Sequence, residues 1–470
     1  MNNPSTSYDL IVIGGGSAGF VSAIKARSFG LNVALVEKHK LGGECPNYAC
    51  LPSKALLRAA EILSLAERAE EFGLTVSNVS ASLPAMMAMK DAIVNKLTGS
   101  PRLERMLERH DINLIRGEAS FVDPYTIQVG NKQYSAKQFV LANGSDPVIP
   151  PIPGLKDAGF LTSIDASMLQ HQPKRIAIIG AGAVGSEYTQ LFIRLHSEVW
   201  LIQKGERILD REDHDTSTTI TESFKKQGVN ILTNAEVLTV KKDQTSKLLT
   251  IKRGDEEQVI IVDEILVVPG RKPDITSLHL EKADVNLDER GKLILNDYLR
   301  ASQPHIWAAG DVAGRMLFTH VATYEGDIVG WNLTHPDQLK KPDYRVVPRA
   351  TFTSPEIGSV GLTEEQARSA GYDVVASSYP LRVMGRGMTV HETDGFIKLV
   401  VDAKTEQILG GHMAGSQAGE VIHEIALAMY ARVPITTVAT MIHAFPTMAE
   451  AVSFVSERLV AQRDKIRGAV

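Results

Sequence analysis

Apolar runs of strand length alternate with amphipathic stretches through most of this 470-residue chain. The first run, Tyr8–Ile13, predicts a strand, and it is followed by a glycine-rich turn, a helix at 17–30 and a second strand at 32–37. The same strand–glycine–helix order begins again at Arg175. Strands that alternate with helices predict parallel α/β architecture. The pattern therefore predicts two dinucleotide-binding folds in one chain.

The rest of the chain changes pattern at two places. The proline-rich segment 147–154 is typical of a linker between domains. From Pro348 onward, strand-like runs are followed by helices near 418–431 and 448–460, which predict a separate α+β domain. Two long helices are predicted before the linker, at 52–72 and at 83–110, the second with a break at Pro101.

Composition narrows the class of protein. The hydrophobic content of 44% and the charged content of 22% are ordinary for a globular protein. A net charge of -5 gives no reason to expect nucleic acid or an anionic membrane as partner. No apolar run approaches the roughly 20 residues that span a bilayer. The N-terminus lacks the features of a signal peptide, so we expect a cytoplasmic protein without a membrane span.

The first glycine-rich turn reads Gly-Gly-Gly-Ser-Ala-Gly over residues 14–19. Gly14 permits the tight turn, Gly16 lets the backbone approach a pyrophosphate, and Gly19 permits close packing of helix on strand. The helix N-terminus offers free N–H groups to phosphate. Glu37 ends the second strand, where an acid accepts a hydrogen bond from a ribose hydroxyl. Together these features predict a dinucleotide site.

The second turn carries Gly180, Gly182 and Gly185 in the same spacing. Its following strand ends in Gln203 rather than in an acid, and Lys204 and Arg207 come next.

The missing carboxylate and the nearby cations suit a 2′-phosphate and favour NADPH. A third glycine is more usual for NAD, and the two cations suit a solvated surface equally well, so NADPH and NADH both stay open. Two dinucleotide sites imply two dinucleotides. One is a hydride donor, and the other is most simply a tightly bound flavin.

Cys45 and Cys50 are the only cysteines in the sequence. They stand where a glycine loop enters a helix, a position that lowers the pKa of a thiol and favours the reactive thiolate. Two thiols at this spacing can close a small disulfide ring and reopen it by exchange. A structural zinc site needs about four ligands, and only His39 is close in sequence. The pair therefore predicts redox chemistry and no metal site.

The segment 42–54 resembles the redox motif GGxC-x4-CxPSK of the class I pyridine nucleotide–disulfide oxidoreductases, the family of lipoamide dehydrogenase, glutathione reductase and mercuric reductase. The resemblance covers the whole chain in order. The other matching segments are 139–145 (the ATG-type FAD segment), 269–273 (the GRxP junction), 306–311 (the second FAD motif) and 352–356 (the opening of the interface domain).

The resemblance implies a fold class and an assembly. The fold is α/β, with two Rossmann-like dinucleotide-binding domains and a C-terminal α+β dimerisation domain. The FAD-binding domain is expected at 1–148 with its second, central part at 271–345, the NAD(P)-binding domain at 149–270 and the dimerisation domain at 346–470. The expected assembly is a homodimer, with FAD and either NADPH or NADH as cofactors.

The resemblance also implies roles for single residues. Cys45 is expected to be the interchange thiol that meets the substrate, and Cys50 to lie against the flavin as a charge-transfer thiolate. Lys54 is expected to approach flavin N5 and to pair with Glu187. The further cofactor-binding residues implied are Lys38, Gly43, Asn143, Gly144, Gly270, Arg271, Gly310 and Asp311, the last of which binds the ribityl chain.

The sequence departs from the family at its C-terminal signature, His-x-His-Pro-Thr-x-x-Glu. Phe445 stands where the family has its second histidine, the acid/base that one subunit supplies to the interchange thiol of the other. Phenylalanine cannot carry a proton, and general acid–base help contributes about 10² to 10⁴ in rate. His443 can substitute only if the loop shifts, and Glu450 loses the residue that it orients. Both are kept as candidate catalytic residues.

The expected activity is that of an FAD-dependent NAD(P)H oxidoreductase that passes electrons to the Cys45–Cys50 disulfide and on to an acceptor, as in dihydrolipoyl dehydrogenase. Because of Phe445, the alternative is a metal-ion or quinone reductase like mercuric reductase. Mercuric reductases carry tyrosine at this position, but they also carry a C-terminal cysteine pair that this sequence lacks.

An alternative of another class is a moonlighting FAD-binding protein whose activity has decayed. The intact cysteine motif disfavours it. Relatives that act as flavin oxidases or NADH peroxidases use a single cysteine, which disfavours that reading as well.

Overall fold

The computed structural model describes residues 6–99 and 101–466. Within these residues the chain forms two compact units. The first comprises the described residues of 1–55, 87–148 and 270–343, and the second comprises those of 56–86, 149–269 and 344–470.

The helices and strands follow one another along the chain. Those of the segment up to 148 are β1 (Thr6–Ile13), α1 (Ser17–Ser28), β2 (Val33–Glu37), α2 (Glu44–Tyr48), α3 (Cys50–Glu67), α4 (Leu83–Thr98), α5 (Arg102–Arg109), β3 (Asn113–Arg116), β4 (Ala119–Asp123), β5 (Thr126–Val129), β6 (Lys132–Leu141) and β7 (Ser145–Pro147). The segment 149–269 contains α6 (Leu155–Ala158), α7 (Ser163–Ala166), β8 (Arg175–Ile179), α8 (Ala183–Arg194), β9 (Glu198–Ile202), α9 (His214–Lys226), β10 (Asn230–Leu232), β11 (Ala235–Asp243), β12 (Ser246–Arg253), β13 (Glu256–Val262) and β14 (Glu264–Val267).

The remaining elements complete the first unit and build the C-terminal part of the second. The segment 270–343 contains β15 (Arg271–Pro273), β16 (Ile306–Ala308) and α10 (Thr319–Thr334). The segment from 344 onward contains β17 (Arg349–Thr351), β18 (Ile357–Gly361), α11 (Glu364–Ser369), β19 (Val374–Pro380), α12 (Gly385–Thr389), β20 (Phe396–Asp402), β21 (Ile408–Ala414), α13 (Ala418–Tyr430), α14 (Ile435–Val438) and α15 (Glu450–Ile466).

The first unit is built on a sheet in the order β3-β2-β1-β6-β5-β4, with β16 also pairing β6. β1 lies between β2 and β6 and is parallel to both. Leu10, Ile11 and Val12 of β1 are fully buried. A strand that is covered on both faces reads as a continuous apolar run, which explains why this strand was predictable.

Helices α1 and α10 of this unit pack closely because α10 carries glycine at the contact. A Cβ built on Gly326 would lie 2.5 Å from the Ala18 carbonyl oxygen, and one on Gly330 would lie 2.6 Å from Cβ of Lys25. The Gly310 N–H donates to Glu325 Oε2 at 2.7 Å, which joins the turn after β16 to the buried face of α10. These contacts fix the position of the N-terminus of α10.

The second unit contains a parallel sheet in the order β10-β9-β8-β14 and an antiparallel sheet, β11-β12-β13. Its C-terminal part is an antiparallel sheet in the order β17-β18-β21-β20-β19. Helix α13 packs on β18 and β21, and α15 packs on β19 and β20. The α/β architecture with a C-terminal α+β part is therefore as the sequence predicted.

Some elements match the predictions in detail and others differ. The segment predicted as a helix over 83–110 forms α4 and α5, and the break falls beside Pro101 as expected. The predicted linker begins inside a strand, because β7 pairs antiparallel with β15. Helix α2 within the cysteine loop was not predicted. No helix within residues 6–99 and 101–466 is long and apolar enough to span a membrane.

Candidate active site

The first glycine loop has the geometry that its sequence requires. Gly14 has φ +106°, and a Cβ there would lie 2.3 Å from the Ala142 carbonyl oxygen. A Cβ on Gly19 would lie 1.9 Å from the Gly14 carbonyl oxygen. Gly16 and Gly43 face each other, since a Cβ on Gly43 would lie 2.8 Å from Cα of Gly16. Side chains are therefore excluded at the N-terminus of α1, which leaves backbone N–H groups for a phosphate.

Both carboxylate oxygens of Glu37 accept hydrogen bonds from backbone N–H groups at this loop. The Gly15 N–H donates to Oε2 at 2.8 Å, and the His39 N–H donates to Oε1 at 2.6 Å. The side chain is buried at the end of β2, where the sequence predicted a ribose acceptor. Its neighbour Lys38 is ion-paired with Asp274 at 3.0 Å and Glu118 at 3.2 Å. Its charge is therefore already balanced by carboxylates of the protein.

The second cofactor motif of this unit lies at the ends of β6 and β16. The Asn143 side-chain amide donates to the Asp274 carbonyl oxygen, and its Oδ1 is buried with no hydrogen-bond partner among the described residues. Gly144 and Gly310 have φ +82° and +80°, in the left-handed region that favours glycine. An unsatisfied acceptor beside a glycine cradle fits a bound dinucleotide.

Arg271 joins the cysteine loop to this motif. Its Nη1 donates to Glu44 Oε1 at 2.8 Å, and its Nη2 donates to Glu44 Oε2, which makes the pair bidentate. Its Nε donates to Ser145 Oγ at 2.8 Å, and the Ser145 hydroxyl donates to Asp311 Oδ2 at 2.5 Å. The Arg271 Nε is 3.9 Å from the same Asp311 oxygen. Gly270, just before Arg271, has φ +152°.

Cys45 lies in α2, and Cys50 is the first residue of α3. Both cysteines are in the thiol form and half-buried. Cys50 Sγ is 3.6 Å from Thr319 Oγ1. The pKa of the Cys45 thiol is raised, chiefly by its hydrogen bond with Cys50 and then by burial and by the charge of Cys50, while the Thr319 hydroxyl and the charge of Lys54 oppose the rise.

The raised pKa of Cys45 contradicts one expectation from the sequence. The loop-to-helix position predicted a lowered pKa, and at Cys45 the interaction with Cys50 outweighs it. Two thiols this close resist carrying two charges, so the first negative charge falls on one sulfur and the other stays protonated. The raised pKa of Cys45 therefore reflects a proton that the two sulfurs of the pair retain together.

Lys54 belongs to the first unit of the structure and Glu187 to the second. Glu187 is buried in α8, and its Oε1 accepts the Phe352 N–H at 3.1 Å. Lys54 lies in the first turns of α3 and acts on Cys45 as a positive charge. Their mutual pairing stays a prediction.

The second glycine loop repeats the first. Gly180 has φ +106°, and a Cβ on Gly185 would lie 1.9 Å from the Gly180 carbonyl oxygen. A Cβ on Gly182 would meet no described atom within 4 Å, so the N-terminus of α8 is open for a ligand. Gln203 Oε1 accepts the Ala181 N–H at 3.2 Å, in the position that Glu37 has in the first loop.

The two cations after Gln203 differ. Lys204 is 80% exposed and ion-paired with Glu236 at 2.8 Å. Arg207 donates from Nη2 to the Asp210 carbonyl oxygen at 3.1 Å, while its Nη1 is buried without a hydrogen-bond partner in the described part of the chain. The unsatisfied donor at this strand end therefore belongs to Arg207.

The C-terminal signature forms the loop before α15. The Phe445 ring is 81% exposed. The side chain of His443 is 5% exposed, with Nε2 2.8 Å from Glu424 Oε1 and Nδ1 3.1 Å from the Met441 carbonyl oxygen. Glu450 accepts the Thr447 N–H at 3.0 Å. Both ring nitrogens of His443 face acceptors, so neither is free to remove a proton from a thiol here.

Similarity to known proteins agrees with this geometry. Residues 8–326 match the family model of the pyridine nucleotide-disulphide oxidoreductases, and residues 347–454 match their dimerisation domain. The chain belongs to this family. The mercuric reductase of Staphylococcus aureus is 40% identical over 448 residues, which cover 95% of this chain and 82% of the relative.

Other relatives differ in activity. The dihydrolipoyl dehydrogenase of Thermus scotoductus is 37% identical over 460 residues, 97% of this chain and 98% of the relative. The solved copper(II) complex of RclA, an HOCl-induced flavoprotein disulfide reductase of Escherichia coli, is similar with a TM-score of 0.86 at 28% identity, and covers 97% of this chain and 100% of that one.

Membership establishes the enzyme class. The family consists of NAD(P)H-dependent flavoprotein disulfide oxidoreductases that use FAD, and the chain is one of them. The residues described above would hold the cofactors, with Glu37 and the first glycine loop at one dinucleotide and Gln203 and the second loop at the other. The C-terminal part of the chain is a dimerisation domain.

Three residues of this site were not singled out from the sequence: Glu44, Ser145 and Thr319. Glu44 occupies the variable position of the GGxC motif, and Ser145 lies inside a matched segment without a named role. Thr319 belongs to none of the motifs. Only the start of an apolar helix soon after the second FAD motif could have drawn attention to Thr319.

Proposed function

We propose that this oxidoreductase reduces a soft metal ion with electrons from NAD(P)H. The observation that carries the proposal is Phe445. At the position where the family supplies a proton carrier, this chain has a benzyl group, and the nearby His443 is engaged by Glu424 and by a carbonyl oxygen. The acceptor that fits is one whose reduction needs electrons and no proton at a fixed atom.

The proton balance separates metal ions from disulfides. Bound FAD would supply the hydride chemistry between NAD(P)H and the Cys45–Cys50 disulfide, which is reduced to the dithiol with one proton from solvent. When the dithiol closes again, two electrons pass to the acceptor and two protons to solvent. A mercuric ion takes both electrons and becomes elemental mercury, and two cupric ions take one each. A lipoamide disulfide must also receive two protons on its sulfurs, for which general acid help is worth about 10² to 10⁴ in rate.

The relatives also support a metal ion as the acceptor. A mercuric reductase is 40% identical over most of the chain, and RclA forms a copper(II) complex. The dihydrolipoyl dehydrogenase of Thermus scotoductus is almost as similar, at 37% identity. Sequence similarity alone therefore leaves lipoamide as the second candidate acceptor, and Phe445 is our reason for favouring the metal ion.

Cys45 and Cys50 have different roles in this proposal. Cys50 carries the negative charge of the reduced pair, beside Lys54 and the N-terminus of α3. Cys45 keeps its proton until an acceptor arrives, because its pKa is raised by Cys50 and by burial. A soft cation that approaches the pair displaces that proton, so the raised pKa of Cys45 is overcome by the acceptor itself.

We also propose that the protein works as a homodimer. The dimerisation domain carries large apolar side chains exposed on α13 and on the loop before α15: Leu427 is 68% exposed, Tyr430 67%, Ile442 96% and Phe445 81%. Apolar exposure of this kind marks an interaction surface. In the family the loop of one subunit serves the cysteine pair of the other, so Phe445 is expected to face the partner's redox site.

NADPH is the proposed hydride donor. Gln203 brings no carboxylate to repel a 2′-phosphate, and the buried Nη1 of Arg207 has no partner among the described residues. A guanidinium donor of this kind suits a phosphate oxygen. Lys204 adds little, because it is exposed and already paired.

The test is metal-dependent oxidation of NADPH by the purified holoenzyme without oxygen. We expect one NADPH consumed per mercuric ion reduced, or per two cupric ions, with elemental mercury or cuprous ion as product. The Cys45→Ser and Cys50→Ser variants are the controls. If the wild type oxidises NADPH no faster with metal than these variants do, the proposed acceptor is wrong.

A further inference from the structure

Thr319 contacts the redox pair and has no place in the reaction as described so far. Its Oγ1 is 3.6 Å from Sγ of Cys50, within hydrogen-bond reach of a sulfur. The same hydroxyl acts on Cys45, where it lowers the pKa of the thiol against the effect of Cys50. One hydroxyl is therefore shared between the two sulfurs of the pair.

The position of Thr319 is fixed by the fold. It is the first residue of α10, whose buried Glu325 accepts the Gly310 N–H at 2.7 Å. One helical turn after Thr319, the Thr323 hydroxyl donates to the Thr319 carbonyl oxygen at 3.0 Å. The contact of Gly326 with α1 holds the same helix against the first glycine loop. The hydroxyl thus approaches Cys50 from an anchored element.

Two helix N-termini meet at Cys50. Helix α3 has 18 residues and starts at Cys50 itself, and α10 has 16 residues and starts at Thr319. The N-terminus of a helix carries a partial positive charge and N–H groups without an intrahelical partner. Both features favour a negative charge on the Cys50 sulfur. A threonine hydroxyl has one proton to donate, and a negatively charged Cys50 sulfur 3.6 Å away would accept it.

We propose that Thr319 is a further catalytic residue of the redox centre, whose hydroxyl donates a hydrogen bond to Cys50 Sγ and stabilises the reduced pair relative to the disulfide. The inference rests on the proposed function in taking Cys45–Cys50 as the pair that cycles. In the disulfide neither sulfur is charged, so the hydrogen bond is weaker there. The difference makes the disulfide easier to reduce.

Thr319→Val tests this with little change of shape, because valine replaces the hydroxyl by a methyl group. Thr319→Ser keeps the hydroxyl and is the matched rescue variant. Each holoenzyme is equilibrated anaerobically in buffers of reduced and oxidised dithiothreitol. The pair is then trapped with a maleimide of high mass, and alkylated and unalkylated chains are separated by electrophoresis.

The dithiothreitol couple supplies the electrons and protons for reduction of the enzyme disulfide. The enzyme disulfide gains two electrons and two protons, and dithiothreitol loses them as it closes its ring. We expect the equilibrium constant for reduction to fall about tenfold in Thr319→Val, as for the loss of a hydrogen bond to a charged group. Thr319→Ser should stay within about twofold of the wild type, because its donor is retained.

The outcomes are distinct. If wild-type chains show no redox-dependent alkylation, the proposed function fails. If wild type and Thr319→Val titrate together, the pair cycles and the role of Thr319 is refuted. An equal fall in the valine and serine variants points to packing and also overturns the inference. If Thr319→Val melts earlier than the wild type, Thr319→Ala replaces it, with the same tenfold decrease expected.

Discussion

The two glycine loops of this protein have nearly the same backbone and different residues at the end of the following strand. Gly14 and Gly180 share a φ of +106°, and a Cβ on Gly19 or Gly185 would lie 1.9 Å from the first glycine's carbonyl oxygen. The strand ends differ, because Glu37 takes the place in one loop that Gln203 takes in the other. The backbone of both loops therefore suits a dinucleotide, and our proposal is that the side chain at the strand end selects which dinucleotide binds.

The largest loss of cofactor binding is expected from substitutions at the glycines that have the same geometry in both loops. Gly19→Ala and Gly185→Ala each push a methyl group into a carbonyl oxygen, at a cost of about 3 kcal/mol or more. We expect Gly19→Ala to purify without its yellow colour. Gly185→Ala should keep FAD and lose about 100-fold in reduction of the flavin by NADPH, followed by stopped-flow absorbance.

Gly182→Ala is the control for steric strain in this pair, since its methyl group meets no described atom within 4 Å, although it lies where the second dinucleotide is expected. It should melt at the wild-type temperature. If Gly185→Ala instead releases FAD as Gly19→Ala does, the two loops do not serve separate dinucleotides.

Glu37→Gln makes the first loop resemble the second. Glutamine can still accept the Gly15 N–H, but its amide faces the His39 N–H, donor against donor. Glutamine also replaces the charged acceptor expected for the ribose hydroxyl, and a hydrogen bond to a charged group is worth about 2 kcal/mol, so FAD affinity should fall roughly 30-fold. Fluorescence of released flavin on dilution measures this. Glu118→Gln changes an acid of the same unit that Glu37 does not contact, and should release no more flavin than the wild type.

Arg207→Ala examines the selectivity of the second loop. Removal of a charge-assisted contact to phosphate should raise the KM for NADPH about tenfold and leave that for NADH unchanged. Steady-state kinetics with both donors separate these results. Arg211→Ala removes an exposed arginine from the same segment and is the matched control. Equal losses with NADPH and NADH would refute a 2′-phosphate site at Arg207.

Lys204→Ala should have the smallest effect. Its ammonium is 80% exposed and paired with Glu236, which is 55% exposed, and surface pairs of this kind contribute about 0 to 1 kcal/mol. We expect the KM for NADPH to change by less than about twofold. A tenfold rise would move the 2′-phosphate site from Arg207 to Lys204.

The fold was predictable where the sequence signal is local. The strands beside the glycine loops are buried apolar runs, and the loops follow them directly. The β7–β15 ribbon could not be predicted, because Arg271 and Ser145 are 126 residues apart and neither strand has an apolar pattern. The segment was therefore interpreted as a linker from its prolines alone.

The site was predictable where it coincides with a motif. The GGxC-x4-CxPSK segment pointed to Cys45 and Cys50, but the motif carries no information about their shared proton, so the raised pKa of Cys45 was not foreseen. Arg271 was expected at a cofactor, and its bidentate contact with Glu44 joins residues 227 positions apart. Residue roles, including the pairing of Lys54 with Glu187, stay predictions.

The most direct measurement of the central claim is the rate of dihydrolipoamide oxidation with NAD⁺ by the wild type and by Phe445→His. If the protein reduces a metal ion and lacks an acid/base for disulfide chemistry, the wild-type rate is negligible. The Phe445→His variant then raises that rate by about 10² or more. A fast wild-type rate that the histidine does not raise would contradict the account, because another group would then supply the proton and the protein would act as a dihydrolipoyl dehydrogenase.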